Sequence, residues 1–204
     1  MKNKGFTLVE LLAMLVVMGI LIGIAIPNIS GIVGKQKENA FKSDINSLVE
    51  RVKVKVAKEP KIGKPNVGEC FIFTLDYLND EEEFQKGPSG GDYEQFDSFI
   101  VYTAKTTSTG AKKYNYYVRL VEKLDGTKYG IDLKEIESID DYKEQVITTN
   151  YGLNDIVENY LANHDGKFNY TAIEASSLTR LNSNKPLPSI CTSEIKKYYM
   201  HRKM

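Results

Sequence analysis

Apolar residues fall into two regimes along this 204-residue chain. From Phe6 to Ile26 they run almost without a break, and Glu10 is the one ionisable side chain among them. Coiled as a helix, that run is about 31 Å long, enough to cross the hydrocarbon core of a bilayer. Beyond Pro27 the apolar positions are Ile29, Ile32, Val33, Ala40, Phe41, Ile45, Leu48, Val49, Val52 and Val56. Their spacings of three, four and seven mark one stripe of a helix. Polar residues from Lys35 to Lys55 take the other side. The segment "VKVKVAK" alternates as a strand does, but continuity with the stripe favours helix, and Pro60 stops it. The pattern predicts one helix over about residues 6–58, apolar all round in its first half and amphipathic in its second.

The second half needs a sheet to lie on, and the following sequence supplies one. "ECFIFTLDYL" predicts a strand at Cys70–Phe73 and then a helical turn. "NDEEEFQKGPSGGDYEQFD" is acidic and glycine-rich and reads as an exposed loop. "SFIVYTAK", "YNYYVRLVEK" and "KYGIDL" are β-rich runs joined by "TTSTGAKK" and "LDGT", an antiparallel meander. Farther on, "EIESIDDYKEQV" and "LNDIVENYLANH" predict short helices, "KFNYTAI" a strand, and "SEIKKYYMHRK" a last helix. The expected class is α+β, with residues 60–204 as a head. Material beyond Asn150 exceeds what a four-stranded meander requires, so residues 151–204 form either a second small lobe or a decoration that closes back through Cys191.

Charge narrows the setting. Lys2 and Lys4 precede the apolar run, and the positive-inside tendency then leaves the rest of the chain across the membrane. A secretory signal would have a shorter apolar core and a small-residue cleavage site after it. Here the run ends at "IPNISG", with no A-x-A pattern and no lipoprotein cysteine. A plain signal anchor leaves Glu10 unexplained, since an acid in hydrocarbon costs roughly 2.5–3.5 kcal/mol. The chain is neutral overall, but the tail from Glu194 is basic and residues 28–193 are mildly acidic. Such a body lacks the basic face that duplex DNA demands. The tail "KKYYMHRK" pairs rings with cations as single-strand binders do, but a solvated terminal helix is the simpler account, so a nucleic-acid partner is not expected. Cys70 and Cys191 are the two cysteines. One disulfide would close a loop of about 120 residues, worth roughly 4–5 kcal/mol by chain entropy. Two unpaired buried thiols are the alternative, and both stand open.

"KGFTLVE" followed by a long apolar run resembles the class III leader of type IV pilins and pseudopilins. The resemblance covers about residues 2–35 in detail and the rest only as architecture. It implies that a prepilin peptidase removes residues 1–5 by cutting between Gly5 and Phe6, and that the same enzyme methylates the new Phe6 amine. The helix, residues 6–59, stays in the mature protein, with 6–26 spanning the membrane and later forming a filament core. Glu10 matches the family's acidic residue, fifth after the cut, and Pro27 its helix-breaking proline. Glu10 then pairs with the Phe6 amine of a neighbouring subunit, because two opposite charges in contact cost far less in low dielectric than one. Gly19 and Gly23 each weaken the helix by up to ~1 kcal/mol, and Pro27 removes a donor, so residues 19–27 are expected to kink or melt in a filament. The same G-x-x-x-G pair also suits close helix packing.

The implied function is structural, that of a minor subunit of a type IV pilus, and not enzymatic. Implied partners are other pilin subunits, the prepilin peptidase and the inner-membrane assembly machinery. The chain sits in the cytoplasmic membrane before assembly and on a surface filament after it. A pseudopilin of a secretion or DNA-uptake system, or an adhesive head displayed on a pilin stalk, are the alternatives. No cofactor or metal is expected. His164, His201, Cys70 and Cys191 lack the local spacing of a zinc site. The acids Asp80, Glu81, Glu82, Glu83, Asp92 and Asp97 lack the alternation that surrounds calcium.

Overall fold

The computed structural model describes residues 6–79, 83–139, 143–151, 162, 173–174, 191 and 195–199. The chain divides into two compact units, Met1–Asn39 and Ala40–Met204. One helix, α1 (Leu8–Lys58), contributes to both. In the first unit its large apolar side chains from Leu8 to Ile22 are all at least 55% exposed, so nothing among the described residues there gives them a core. A Cβ placed on Gly19 or Gly23 would meet nothing within 4 Å. The helical backbone continues through Pro27. Among the described residues no helix is long and apolar enough to cross a membrane. Described side chains in this stretch of the helix run only from Leu8 to Gly23, about 24 Å of helix against the ~30 Å of a hydrocarbon core.

In the second unit the amphipathic stripe does what its spacing predicts. Phe41, Ile45, Leu48, Val49 and Val52 are buried, packed with Phe71, Phe73, Ile100, Tyr102, Val118, Leu120 and Ile131 of the sheet. Removing five such helix side chains from water contributes on the order of 10 kcal/mol before chain entropy is counted. "VKVKVAK" is helical: Val52 is fully buried while Val54 is 46% exposed, a divergence that a two-residue strand repeat forbids. The helix ends at Lys58, two residues before Pro60.

The strands are β1 (Cys70–Thr74), β2 (Asp92–Tyr93), β3 (Phe99–Thr106), β4 (Lys112–Leu124), β5 (Thr127–Glu135), β6 (Gln145–Val146), β7 (Ile173–Glu174) and β8 (Ile195–Tyr199). Among the described residues they form one sheet in the order β6-β5-β4-β3-β1-β8-β7, with β2 paired to β4. The meander β3–β4–β5 is antiparallel, as the sequence predicts, and β1 pairs antiparallel with β3. A short helix, α2 (Leu75–Leu78), follows β1, and the Thr74 hydroxyl caps it by accepting from Tyr77 N at 3.3 Å. The class is α+β, consistent with the pilin-like architecture.

Three expectations need correction. The predicted last helix is a strand where it is described: β8 lies parallel to β1. Its Tyr199 ring stacks on Phe73 at 4.5 Å between centroids, and the Tyr199 carbonyl accepts from Thr74 Oγ1 at 3.1 Å. Tertiary pairing there outweighs local helical pattern. Where it is described, the helix predicted over "EIESIDDYKEQV" is a 3₁₀ turn at Ile136–Ser138, flanked by Glu135 in β5 and by β6, which pairs with β5. The glycine-rich loop is not simply exposed: Asn79, Phe84, Tyr93 and Asp97 within it are buried. Of "LNDIVENYLANH" only Ala162, which is helical, lies in the described residues, and of "KFNYTAI" only Ile173, in β7.

Much of the sheet is buried on both faces. Ile72, Phe99, Val101, Thr103 and Val121 belong to the face away from α1, yet each is buried. Tyr151 covers part of that face, edge-on to Phe99 at 5.6 Å. Cys70, the first residue of β1, is bonded to Cys191, 121 positions along the chain, with their Cα atoms 5.7 Å apart.

Candidate functional site: the helix start and the polar framework of the head

Thr7 and Glu10 form a reciprocal cap at the start of α1. The Thr7 backbone N–H donates to Glu10 Oε2 at 2.9 Å, and the Thr7 hydroxyl donates to the same oxygen at 2.8 Å. In return Glu10 N–H donates to Thr7 Oγ1 at 3.3 Å. This is a capping box, in which the first residue and the fourth satisfy each other's orphan donors. Glu10 also places negative charge in the first turn, where the helix dipole favours it. Among the described residues Oε1 of Glu10 takes no such bond. The "TLVE" spacing announces this cap, and charge pairing did not require it.

Phe6 precedes Thr7, is 74% exposed, and contributes nothing to the box. A cut ahead of Phe6 therefore leaves every bond of the cap intact. Gly5 lies outside the described residues, as do the side chain of Pro27, His164, His201, Asp80, Glu81 and Glu82.

In the head the polar chemistry is structural and centres on Arg119, whose side chain is fully buried. Its Nε and Nη2 donate to Asp97 Oδ1 at 3.1 and 3.0 Å, and its Nη1 donates to Asp132 Oδ1 at 2.6 Å. Nη2 also donates to the Thr149 carbonyl at 2.7 Å, and the Tyr151 ring lies 4.9 Å from the guanidinium carbon. A register shift puts Asp132 and Leu133 opposite Arg119 alone, a bulge that turns Asp132 toward the cation. Lys128 closes the outer side of the network on Asp97 at 2.8 Å and Glu94 at 3.2 Å. Burial, with the nearby Asp132 charge, pushes the Tyr151 hydroxyl up to about 12.

Glu122, 1% exposed, is held by the glycine loop: Gly91 N–H donates to Oε1 at 2.8 Å and Ser89 N–H to Oε2 at 3.4 Å. A Cβ on Gly87 or Gly91 would collide with that carboxylate, so the glycines there allow close approach. Across α1, Tyr93 donates to Asp44 Oδ2 at 2.7 Å, and Arg51 pairs with Glu83 and lies over Phe84 at 4.9 Å. Nothing in the local sequence marks Arg119 or Glu122 as interior charges. Among the described residues no group of acids, histidines and cysteines is placed to hold a metal ion.

A capped acid thus opens a long helix whose first part is apolar, and an α+β head follows it. Residues 1–26 match the family model described as the prokaryotic N-terminal methylation motif. That is the class III leader of type IV prepilins and pseudopilins, and the match supports a precursor of that type. The match covers the leader and the first part of α1 and none of the head. Comparison with curated proteins gives no match, and comparison with solved structures gives none.

Proposed function

We propose that the chain is a minor structural subunit of a type IV pilus. Leader removal between Gly5 and Phe6, with methylation of the Phe6 amine, would yield a mature helix able to pass from the membrane into a filament. The observation that carries this reading is the helix start: a leader of the methylation type whose acid, Glu10, is kept oriented by Thr7. Thr7 engages only Oε2, which leaves Oε1 for the Phe6 amine of a neighbouring subunit. A carboxylate has lone pairs for both roles. The cap aims the acid, and the pairing sets one axial offset between subunits over slips by a turn.

Gly19, Gly23 and Pro27 provide the helix with a segment that can loosen on assembly at small cost. The head, with Arg119 and the Cys70–Cys191 bond tying its strands, faces outward. Its 145 residues from Pro60 onward favour a minor subunit over the main repeat. Glu10→Ala tests the pairing: it should reach the membrane and be processed, yet enter filaments poorly. Incorporation equal to the unmodified chain would end the proposal.

A further inference from the structure

On the sheet face away from α1, three side chains from three adjacent strands meet. They are Lys105 of β3, Asn115 of β4 and Glu135 of β5. Thr103 faces Asn115 and Lys105 faces Lys113, so Lys105 is the diagonal neighbour of Asn115. Tyr117 faces Glu135, which places Glu135 diagonally from Asn115 on the other side. Diagonal neighbours lie about 7–8 Å apart, within reach of long side chains. Glu135 Oε1 accepts from Lys105 Nζ at 3.1 Å, and the same oxygen accepts from Asn115 Nδ2. The amine and the amide nitrogen are thus no more than two hydrogen bonds apart, about 6 Å. Asn115 is 3% exposed, and its carbonyl oxygen has no hydrogen-bond partner. A buried orphan acceptor calls for an explanation.

We propose that Lys105 and Asn115 are the partners of an intramolecular amide cross-link, with Glu135 as the proton carrier that forms it. Lys105 Nζ, as the free amine, adds to Asn115 Cγ. A new N–C bond forms, the bond from Cγ to Nδ2 breaks, and Nδ2 leaves as ammonia. Glu135 accepts the proton shed by the amine and hands it to the departing nitrogen, ending as it began. An alkylammonium and a primary amide become a secondary amide and an ammonium ion, so no oxidant, reductant or co-substrate is needed. The role of Glu135 follows from its position, since a general base must sit within hydrogen-bond reach of both nitrogens. The fold supplies proximity, which in well-oriented intramolecular reactions is equivalent to reactant concentrations of about 10⁵ M or more.

The charge environment sets the pace. The hydrogen bond to Glu135 raises the Lys105 pKa against the opposing effect of desolvation, and the charges of Glu135, Tyr117 and Glu137 raise it further. Lys113 sits nearby and is paired with Glu137 at 2.6 Å. The free amine is a minor species at neutral pH, so the bond forms slowly and faster as pH rises. The Lys105 side chain is 37% exposed, which lets the ammonia escape. The product staples β3 to β4 beside a disulfide that ties β1 to Cys191, and a reductant would leave it intact.

Tandem mass spectrometry of the full-length mature chain, extracted in detergent and aged at pH 7 and pH 9, tests this without reference to filament assembly. The expected result is loss of one ammonia, about 17 Da, with trypsin unable to cut after Lys105 and one branched peptide carrying both Lys105 and Asn115. The fraction should grow faster at pH 9. Lys105→Arg keeps the ion pair and should retain full mass, and Glu135→Gln should do so while circular dichroism confirms the fold. Separate, unmodified Lys105 and Asn115 peptides after ageing would overturn the proposal. A mass deficit that persists in Lys105→Arg would overturn it as well, since Asn115 cyclising on its own backbone loses the same mass.

Discussion

Replacing Arg119 by methionine keeps the length and apolar body of the side chain while deleting all of its donors. Three bonds to two carboxylates vanish, at 2.6–3.1 Å, along with the bonds to the Asp97 carbonyl at 3.0 Å and the Thr149 carbonyl at 2.7 Å. Asp97 retains Lys128 at 2.8 Å and Asp132 retains the Thr149 hydroxyl at 2.8 Å, so neither acid is stripped completely. Both remain almost wholly buried, however, with side chains 6% and 11% exposed. Breaking a buried ionic network from one side costs about 3–5 kcal/mol, and the retained partners point to the lower end. That is a large share of a typical total of about 5–15 kcal/mol. With a urea slope near ~2 kcal/mol/M, the midpoint of unfolding should fall by roughly 1.5 M. Urea titration followed by near-ultraviolet circular dichroism reads the head through its tyrosines. Arg119→Lys, which keeps the charge but not the fork, should fall between the two. A midpoint shift below about 0.5 M for Arg119→Met, roughly 1 kcal/mol at that slope, would refute the idea that this network holds β4, β5 and residues 149–151 together.

Two further outcomes follow from the same geometry. Burial raises the Asp44 pKa above its ordinary value, against the lowering effect of the Tyr93 hydrogen bond and with Glu83 adding to the rise. A raised carboxyl contributes stability that is complete below its unfolded pKa and is lost as pH climbs through the folded one. Asp44→Asn should therefore lack that loss, so its stability relative to the unmodified chain should rise from pH 3 to pH 7; a gap that stays flat in urea titrations refutes the assignment. Thr7→Ala removes the cap and should cost the helix start about 1 kcal/mol, seen as faster amide exchange in the first turn of α1 in micelles, with Thr7→Ser restoring protection. Equal exchange in all three chains would show that the cap does not hold.

How much was legible depends on range. The helix could be read to within two residues because its stripe repeats over Phe41, Ile45, Leu48, Val49 and Val52, each contact separately enforcing one period. The meander was legible because "TTSTGAKK" and "LDGT" punctuate strands that pair with their sequence neighbours. β8 was not, because its partner β1 lies more than a hundred residues upstream and "IKKYY" carries no local sign of Phe73 waiting for Tyr199. Arg119 reads as one charge among aromatics in "YNYYVRLVEK"; only the bulge at Asp132 and Leu133 makes it an interior cation. Of the helix start, Glu10 stood out by its cost in an apolar run, whereas Thr7 was visible in "TLVE" but overshadowed by it.

The proposed filament would be built from chains cut ahead of Phe6, each carrying an oriented acid five residues into the new amino terminus. Mass spectrometry of the terminal peptide from sheared, purified surface filaments addresses it most directly. The first residue of the filament subunit should be Phe6, bearing one methyl group. Filaments whose subunits still begin at Met1, or a protein found only as a free monomer trimmed beyond Ile26, would contradict it.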